Sequence, residues 1–137
     1  MRALMLSAIA CVALCACDVR TALARYPPPP AGSFTASTVR VSADGTTEST
    51  SAAVVTRDFF RAYSMSPRIG RLFLDVDFAP GSRRLAVLTD ALWRRRFGAG
   101  PDAIGREIEI DGTRVTIIAV MPPDFDLPRD AQLWLNR

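Results

Sequence analysis

The strongest signal for the fold class is one continuous stretch, Leu85-Ala86-Val87-Leu88-Thr89-Asp90-Ala91-Leu92-Trp93-Arg94-Arg95-Arg96-Phe97-Gly98. Its first four residues are all apolar, which is typical of a strand that is covered on both faces. Thr89 or Asp90 then has the side chain to cap a helix over residues 91–97, and Gly98 ends that helix. A buried strand followed directly by a short helix predicts a fold that mixes α and β structure.

A hairpin precedes this stretch. Residues 38–42 alternate between polar and apolar side chains, as a half-buried strand does. Asp44-Gly45 is a tight-turn signal, because both residues adopt positive φ at low cost. The return strand is expected to end at about Val55, after which Thr56 or Asp58 can cap a short helix on which Phe59 and Tyr63 share a face.

A second hairpin follows it. Residues 107–110 alternate, Asp111-Gly112 turns the chain, and residues 113–121 return. Just before this hairpin, residues 101–104 form one more helical turn that begins with proline. Alternation along the return strand predicts that one face carries Val115, Ile117, Ala119 and Met121, and the other Ile118 and Val120. The expected fold is therefore α+β, a small mixed sheet with β-hairpins and two or three short helices, over residues 35–137.

Composition excludes several classes of function. All seventeen basic residues are arginine, the net charge is only +3, and acidic residues are scattered among the arginines, so no nucleic-acid partner is predicted. Histidine is absent, which removes Ser-His and Cys-His nucleophile pairs and nearly every common zinc site. The three cysteines, Cys11, Cys15 and Cys17, all lie near the N-terminus, so no disulfide framework is expected in the domain.

The N-terminal segment is typical of an export signal. Residues 3–16 are apolar apart from Ser7, and as a helix they span about 21 Å, which is short for a bilayer core of about 30 Å. Leu14-Cys15-Ala16-Cys17 resembles a bacterial lipobox, which implies a signal peptide over residues 1–16 and lipidation of Cys17. A plain secretory peptide and an uncleaved anchor are the alternatives. Residues 17–34, with four consecutive prolines, are predicted to form an extended tether.

Several blocks of the chain resemble the MacB-like periplasmic core domain of ABC-transporter permeases. The blocks occur in the family's order between residues 39 and 134, and they are Val54-Val55-Thr56-Arg57-Asp58-Phe59-Phe60, Gly70-Arg71-Leu72-Phe73, residues 85–98, Pro101-Asp102-Ala103-Ile104-Gly105-Arg106, Val120-Met121-Pro122-Pro123-Asp124-Phe125 and Leu133-Trp134. The resemblance implies a domain that contacts adaptors or substrates without performing chemistry. The chain has Ser64 where the family usually has glycine. It is also expected to lack the family's second half and membrane helices.

No catalytic, cofactor-binding or metal-binding residue is predicted. Asp75 and Asp77, and likewise Asp124 and Asp126, are paired acids, but they lack the ligand spacing of a calcium loop and are interpreted as solvated loop residues. Residues 94–96 are three arginines that could attract anionic lipids or an acidic partner, although solvation and compensation of the helix dipole are favoured. Trp93 and Phe97 are assigned to the core, and the glycines at 98, 100 and 105 lack the lysine of a phosphate loop.

The sequence thus predicts a non-enzymatic accessory or interaction module of a membrane export system, without a cofactor. Its expected location is the periplasmic side of the bacterial inner membrane, held by lipid on Cys17, where Asp18 resembles an inner-membrane retention signal. The expected partners are a permease or an adaptor protein. The alternative is a non-functional remnant of a truncated permease gene. Self-association is also expected, because four apolar residues are predicted to lack cover: Ile118, Val120, Leu133 and Trp134.

Overall fold

The computed structural model describes residues 33–125 and 127–136. Within these residues the chain forms the strands β1 (Phe34–Ala43), β2 (Thr46–Val55), β3 (Ile69–Gly70), β4 (Leu85–Leu88), β5 (Glu107–Ile110), β6 (Thr113–Val120) and β7 (Leu133–Asn136). The α-helix α1 spans Asp90–Phe97, and 3-10 turns lie at Phe60–Tyr63, Asp75–Phe78 and Pro101–Ala103. No described helix is both long and apolar enough to span a bilayer. The predicted signal peptide, Cys17 and the tether up to residue 32 lie outside the described residues.

The strands form one mixed sheet that closes into a small barrel. Their order is β3-β6-β4-β7-β2-β1-β5, and β5 pairs back onto β6. The pairs β2–β7 and β4–β6 are parallel, whereas the other pairs are antiparallel. The prediction of a small mixed sheet with hairpins is confirmed, and the closure of that sheet into a barrel goes beyond it.

Both hairpin turns lie where the sequence predicts them. Asp44 and Gly45 have φ of 53° and 75°, and Asp111 and Gly112 have φ of 50° and 80°. Positive φ at both central residues gives the backbone twist that joins two antiparallel strands with a two-residue turn. The first turn sets the register of β1 on β2 along all ten residues of each strand.

Helical content is lower than predicted. The helix expected after β2 is a single 3-10 turn, Phe60–Tyr63, which has no side-chain cap from Thr56 or Asp58. Four residues are too few to nucleate an α-helix in isolation, so the packing of Phe59 and Phe60 against the barrel determines this turn instead. Ser64 ends it in the left-handed region at φ 48°, a conformation that serine adopts less easily than glycine does.

Helix α1 covers one end of the barrel. Its N-cap is Thr89, whose hydroxyl accepts the N–H of Leu92 at 3.2 Å, and Gly98 ends it with φ 61°. Leu92 and Trp93 are buried in the barrel interior, which confirms the core assignment of Trp93. Because α1 directly follows the end of β4, it lies at the end of the barrel where β4 finishes.

A β-bulge in β6 changes which side chains face the barrel interior. Ala86 pairs with Ile117 but Val87 pairs with Ala119, so Ile118 is an extra residue on the β6 side. Val120 consequently packs inside the barrel, while Ala119 packs outside. The predicted alternation along β6 therefore holds up to Ile118 and is wrong from Ala119 onward, because the extra residue reverses the faces.

The barrel carries two separate groups of buried side chains. The inner core is mainly aliphatic and consists of Val39, Val41, Ala52, Ala86, Leu88, Leu92, Trp93, Ala103, Ile108, Ile110, Val115, Ile117, Val120, Leu133 and Leu135. The outer layer lies on the outside of β2, β7, β4 and β6 and consists of Ala53, Val55, Phe59, Phe60, Leu85, Val87, Ile118, Ala119, Met121, Phe125, Ala131 and Trp134. The four residues predicted to lack cover are between 0% and 9% exposed, so that expectation is wrong.

Candidate functional site

The barrel is open at the end opposite α1, where the opening forms a pocket of about 260 Å³. Its apolar walls are Val39 of β1, Val54 of β2, Ile110 of β5, Val115 of β6 and Leu135 of β7. Polar residues at the opening include Ser37, Arg84, Asp111 and Thr113. We call this pocket the barrel mouth. Barrel mouths with an apolar interior and few polar groups are a common form of binding site.

One edge of β1 borders the barrel mouth and is largely unpaired. β2 pairs with β1 along its whole length, whereas on the other edge β5 pairs only with Val41 and Ser42. Asp111 extends this contact by one position, because its carboxylate accepts the N–H of Arg40 at 2.8 Å and its own N–H donates to the carbonyl of Arg40 at 2.9 Å. Residues 35–38 are exposed, and no described strand pairs with them on this edge.

Most arginines of the described residues are ion-paired, and five are not: Arg40, Arg83, Arg84, Arg114 and Arg129. The arginines near α1 and the 3-10 turns are ion-paired with acidic side chains. In contrast, Arg83, Arg84 and Arg114 are exposed and form no ion pair with any residue that the structure describes. Arg83 and Arg84 immediately precede β4, and Arg114 is the second residue of β6. All three therefore lie at the end of the barrel that carries the barrel mouth.

A second pocket lies beside the outer layer. It has a volume of about 240 Å³ and is lined by Phe60, Phe73, Phe78 and neighbouring side chains. Next to it, Leu74 and Val76 expose 54% and 68% of their surfaces. We call these two residues the apolar ridge. Leu74 and Val76 are the two large apolar residues most exposed in the described part of the chain, which makes this surface a candidate for contact with another molecule.

Asp77 holds the segment that carries the apolar ridge. Its carboxylate accepts a hydrogen bond from Arg71 at 2.8 Å and from the N–H of Leu74 at 2.7 Å. Its carbonyl accepts hydrogen bonds from Ser82 and from the amide of Asn136. Burial raises the pKa of this carboxyl, but the Arg71 and Leu74 contacts outweigh burial and leave the pKa below its usual value. Asp77 is thus a buried structural anion and not the solvated residue that the sequence predicts.

The other acids singled out in the sequence do not converge on a metal or catalytic centre. Asp75 is bound by Arg61 at 2.5 Å and lies 3.9 Å from Arg57. Asp124 is exposed, and Asp126 lies outside the described residues. Among the residues that the structure describes, no three acidic or cysteine side chains come together as metal ligands.

The three arginines of α1 attach the helix to its surroundings. Arg94 binds Asp90 at 2.7 Å, one helical turn earlier, while Arg95 and Arg96 bind Glu48 of β2 at 2.8 and 3.2 Å. The hydrogen bond from Arg95 lowers the pKa of Glu48, against the opposing effect of burial. Interpreting these arginines as solvating residues is therefore incomplete, because Arg95 and Arg96 connect α1 to the β1–β2 hairpin.

The sequence interpretation missed both pockets. The alternation of apolar and acidic residues at 74–77 and the adjacent arginines at 83–84 are the only local signals for them. The barrel mouth has no local signal in its apolar walls, because these side chains come from strands that are far apart in the sequence.

The chain matches the family model of the MacB-like periplasmic core domain over residues 18–136. The chain belongs to this family. Among solved structures, this MacB-like domain is similar to the extracellular domain of the noncanonic ABC-type transporter YknZ from Gram-positive bacteria, with a TM-score of 0.63 and 14% identity over 76% of this chain and 52% of that one. It is also similar to the periplasmic region of MacB from Actinobacillus actinomycetemcomitans, with a TM-score of 0.60 and 15% identity over 85% of this chain and 51% of that one.

The MacB-like domain described here spans about half the length of both structures. At these identities the likeness shows a shared fold, and the family resemblance predicted from the sequence is confirmed. No curated protein matches the chain.

Proposed function

We propose that this MacB-like domain is a non-enzymatic accessory domain of a membrane export system and acts by docking to a permease or an adaptor protein. The observation that carries the proposal is the family match over residues 18–136. It is supported by the two similar structures, both of which are parts of transporters that lie outside the cytoplasm.

The apolar ridge is the surface that we assign to docking. Leu74 and Val76 project from a segment that Asp77 anchors through its hydrogen bonds to Arg71 and Leu74. Because that segment is held in place, a partner that buries the two side chains does not have to order the backbone first, which lowers the entropic cost of binding. Because Leu74 is 54% and Val76 68% exposed, burying what remains exposed would contribute about 1–2 kcal/mol for each side chain.

The anchor forms part of the same proposal. We place the domain on the periplasmic side of the inner membrane, with a signal peptide over residues 1–16, lipid on Cys17 and residues 17–34 as the tether. Expression of the full chain in a bacterium with a fatty-acid analogue should label the protein, and Cys17→Ala should abolish the label. Cys15→Ala is the matched control and should keep it. Equal labelling of all three proteins would refute lipidation at Cys17.

Docking is tested by a photo-crosslinking amino acid at Val76 in the full chain, expressed in its bacterial envelope. We expect cross-linked permease or adaptor peptides, identified by mass spectrometry, and at least a fivefold loss of cross-linking after Leu74→Ser. The same probe at the exposed Arg129, which belongs neither to the apolar ridge nor to the lining of the pocket beside it, is the control. Equal yields at both positions would contradict the assignment of the ridge as the docking surface.

The absence of catalysis is tested on a panel of hydrolase substrates with the purified chain. We expect no turnover above that of a sample without protein. Turnover that disappears with Asp75→Ala or Asp124→Ala would show that the acids have a catalytic role.

A further inference from the structure

We propose that the barrel mouth and the unpaired edge of β1 bind an extended segment of a partner protein, which places an apolar side chain in the mouth and an acidic side chain at Arg84. This proposal rests on the proposed docking function, because it adds a second and chemically specific contact to it. It concerns a different surface from the apolar ridge.

The backbone of β1 offers hydrogen bonds in the direction of the barrel mouth. Backbone groups of a strand in an antiparallel pair point alternately to its two edges. Arg40 directs its N–H and C=O to Asp111, on the edge away from β2. Thr38, Ala36 and Phe34 follow at steps of two and therefore face that same edge, where no described strand pairs with them. An added strand would satisfy these groups, as in β-strand addition.

Within the described residues, this edge has none of the features that normally prevent such pairing. Residues 34–39 contain no proline, no charged side chain and no bulge, and four of them in a row are exposed. Natural edge strands are usually protected by one of these features or by a covering segment. This edge is thus open to a strand that approaches along β1.

The barrel mouth would provide the specificity for the incoming strand. At about 260 Å³ the pocket lies below the usual range of drug-sized sites, which begins at roughly 300 Å³, and it suits one large apolar side chain. Ser37 and Val39 belong both to the wall of the mouth and to β1 itself. A side chain on the neighbouring strand that faces the barrel interior would therefore enter the mouth, because side chains of paired strands lie side by side.

The charges around the mouth favour an acidic flank on the partner. Arg84 lies at the opening with no described ion-pair partner, and Arg83, also without one, directly precedes it in the chain. The one acid at the opening, Asp111, already accepts a hydrogen bond from Arg40. A carboxylate on the partner segment would form a bidentate pair with the Arg84 guanidinium.

A second copy of this chain fits the site less well. Residues 34–43 contain no acidic side chain to pair with Arg84. On a second β1, two of the residues on the interior face, Thr35 and Ser37, are polar and too small to fill an apolar pocket. The observations therefore favour a different protein as the occupant.

The experiment uses the purified full chain in detergent and a phage library of random heptapeptides. We expect enriched sequences that carry one large apolar residue and an aspartate or glutamate two to four positions away. The most enriched sequence is then synthesised with a fluorophore, and its dissociation constant is measured by anisotropy. Two variants test the site. Ser37→Leu fills the mouth from its rim and should weaken binding about tenfold, and Arg84→Gln should weaken it about fivefold.

The control variant is Arg129→Gln, which removes another exposed arginine without a described ion pair and should leave binding unchanged. Ala36→Pro removes the backbone N–H of residue 36 from the unpaired edge of β1 and should also weaken binding. If the proline variant does not fold, Ser37→Leu and Arg84→Gln still test the site.

Three results would overturn the proposal. The first is a failure of the binding test: either the selected peptides share no apolar-acidic pattern, or Ser37→Leu and Arg84→Gln leave the binding of the selected peptide unchanged. The second is a concentration-dependent dimer that Ser37→Leu abolishes, which would assign the edge to a second copy. The third is competition by a synthetic peptide with the sequence of residues 18–33, which would assign the mouth to the chain's own leading segment. None of these results depends on cross-linking at Val76 or on labelling of Cys17. The binding proposal for the barrel mouth and the proposed docking function can therefore be refuted independently.

Discussion

The inner core and the outer layer of the barrel are built from the same strands in different ways. Inside, buried aliphatic residues of successive strands meet one another, and α1 closes one end. Outside, the same strands contribute small and aliphatic residues, and most of the aromatic rings come from the segments between strands. The comparison shows that one set of strands supports two cores. The inner core is formed largely by the strands and α1, whereas the outer layer also needs aromatic side chains from the segments between strands.

The outer layer is held together largely by contacts between aromatic rings. Phe60 is its centre, with ring centroids 5.0 Å from Phe59, 5.7 Å from Trp134 and 6.0 Å from both Phe73 and Phe125. Edge-to-face and tilted pairs at these distances contribute beyond the area that they bury. These contacts explain why the short 3-10 turn at Phe60–Tyr63, which has no side-chain cap, keeps a defined position on the barrel.

The sharpest test of the comparison uses two neighbouring residues of β7, Leu133 in the inner core and Trp134 in the outer layer, both 0% exposed. We expect Trp134→Ala to lower the free energy of unfolding by about 4 kcal/mol and Leu133→Ala by about 3 kcal/mol. The tryptophan also donates a hydrogen bond to the carbonyl of Leu127 at 2.8 Å, which the alanine variant loses. Urea unfolding of the purified variants measures both values. A loss below about 1 kcal/mol for Trp134→Ala would show that the outer layer is only a loose cover.

The junction between the two cores gives a second test. Gly70 has φ 80°, and a Cβ at this position would lie 1.9 Å from the carbonyl oxygen of Ile118, the extra residue of the bulge. Gly45 has a similar φ of 75° in the first hairpin turn, but a Cβ there would meet nothing within 4 Å.

We expect Gly70→Ala to cost about 3 kcal/mol, from backbone strain and the displaced bulge, and Gly45→Ala about 1 kcal/mol, from the left-handed conformation alone. Thermal unfolding of the two variants separates the two effects. Equal losses would mean that the bulge adjusts freely and does not determine which residues face each core.

The smallest expected effect is the pH dependence that Asp77 confers on the segment above the outer layer. The pKa of Asp77 is lower in the folded protein than the ordinary value of 3.8. Its ionised form therefore stabilises the fold above that value, and this contribution is lost as the pH falls through the lower, folded pKa. Unfolding measured between pH 6 and about pH 2 should be less sensitive to acid in Asp77→Asn than in the parent chain. If Asp77→Asn and the parent chain lose stability equally on acidification, the Arg71 contact does not stabilise the ionised carboxylate of Asp77.

Features that depend on a few adjacent residues were determined by the sequence alone. Asp44-Gly45 and Asp111-Gly112 specify their turns because both residues tolerate positive φ. The all-apolar strand at 85–88 and the Thr89 cap follow from side-chain chemistry within a few positions. The family is likewise evident from the order of short motifs, and this is confirmed over residues 18–136.

The tertiary structure alone decided the features that join distant residues. Closure of the barrel requires the parallel pairing of β2 with β7 and of β4 with β6, and the sequence contains no local mark of either partner. The bulge at Ile118 depends on where β4 lies beside β6, and the 3-10 turn at Phe60–Tyr63 depends on an aromatic layer that includes Phe125 and Trp134. Local backbone preferences act over a few residues, whereas strand pairing and ring packing gain their free energy only when remote segments have come together.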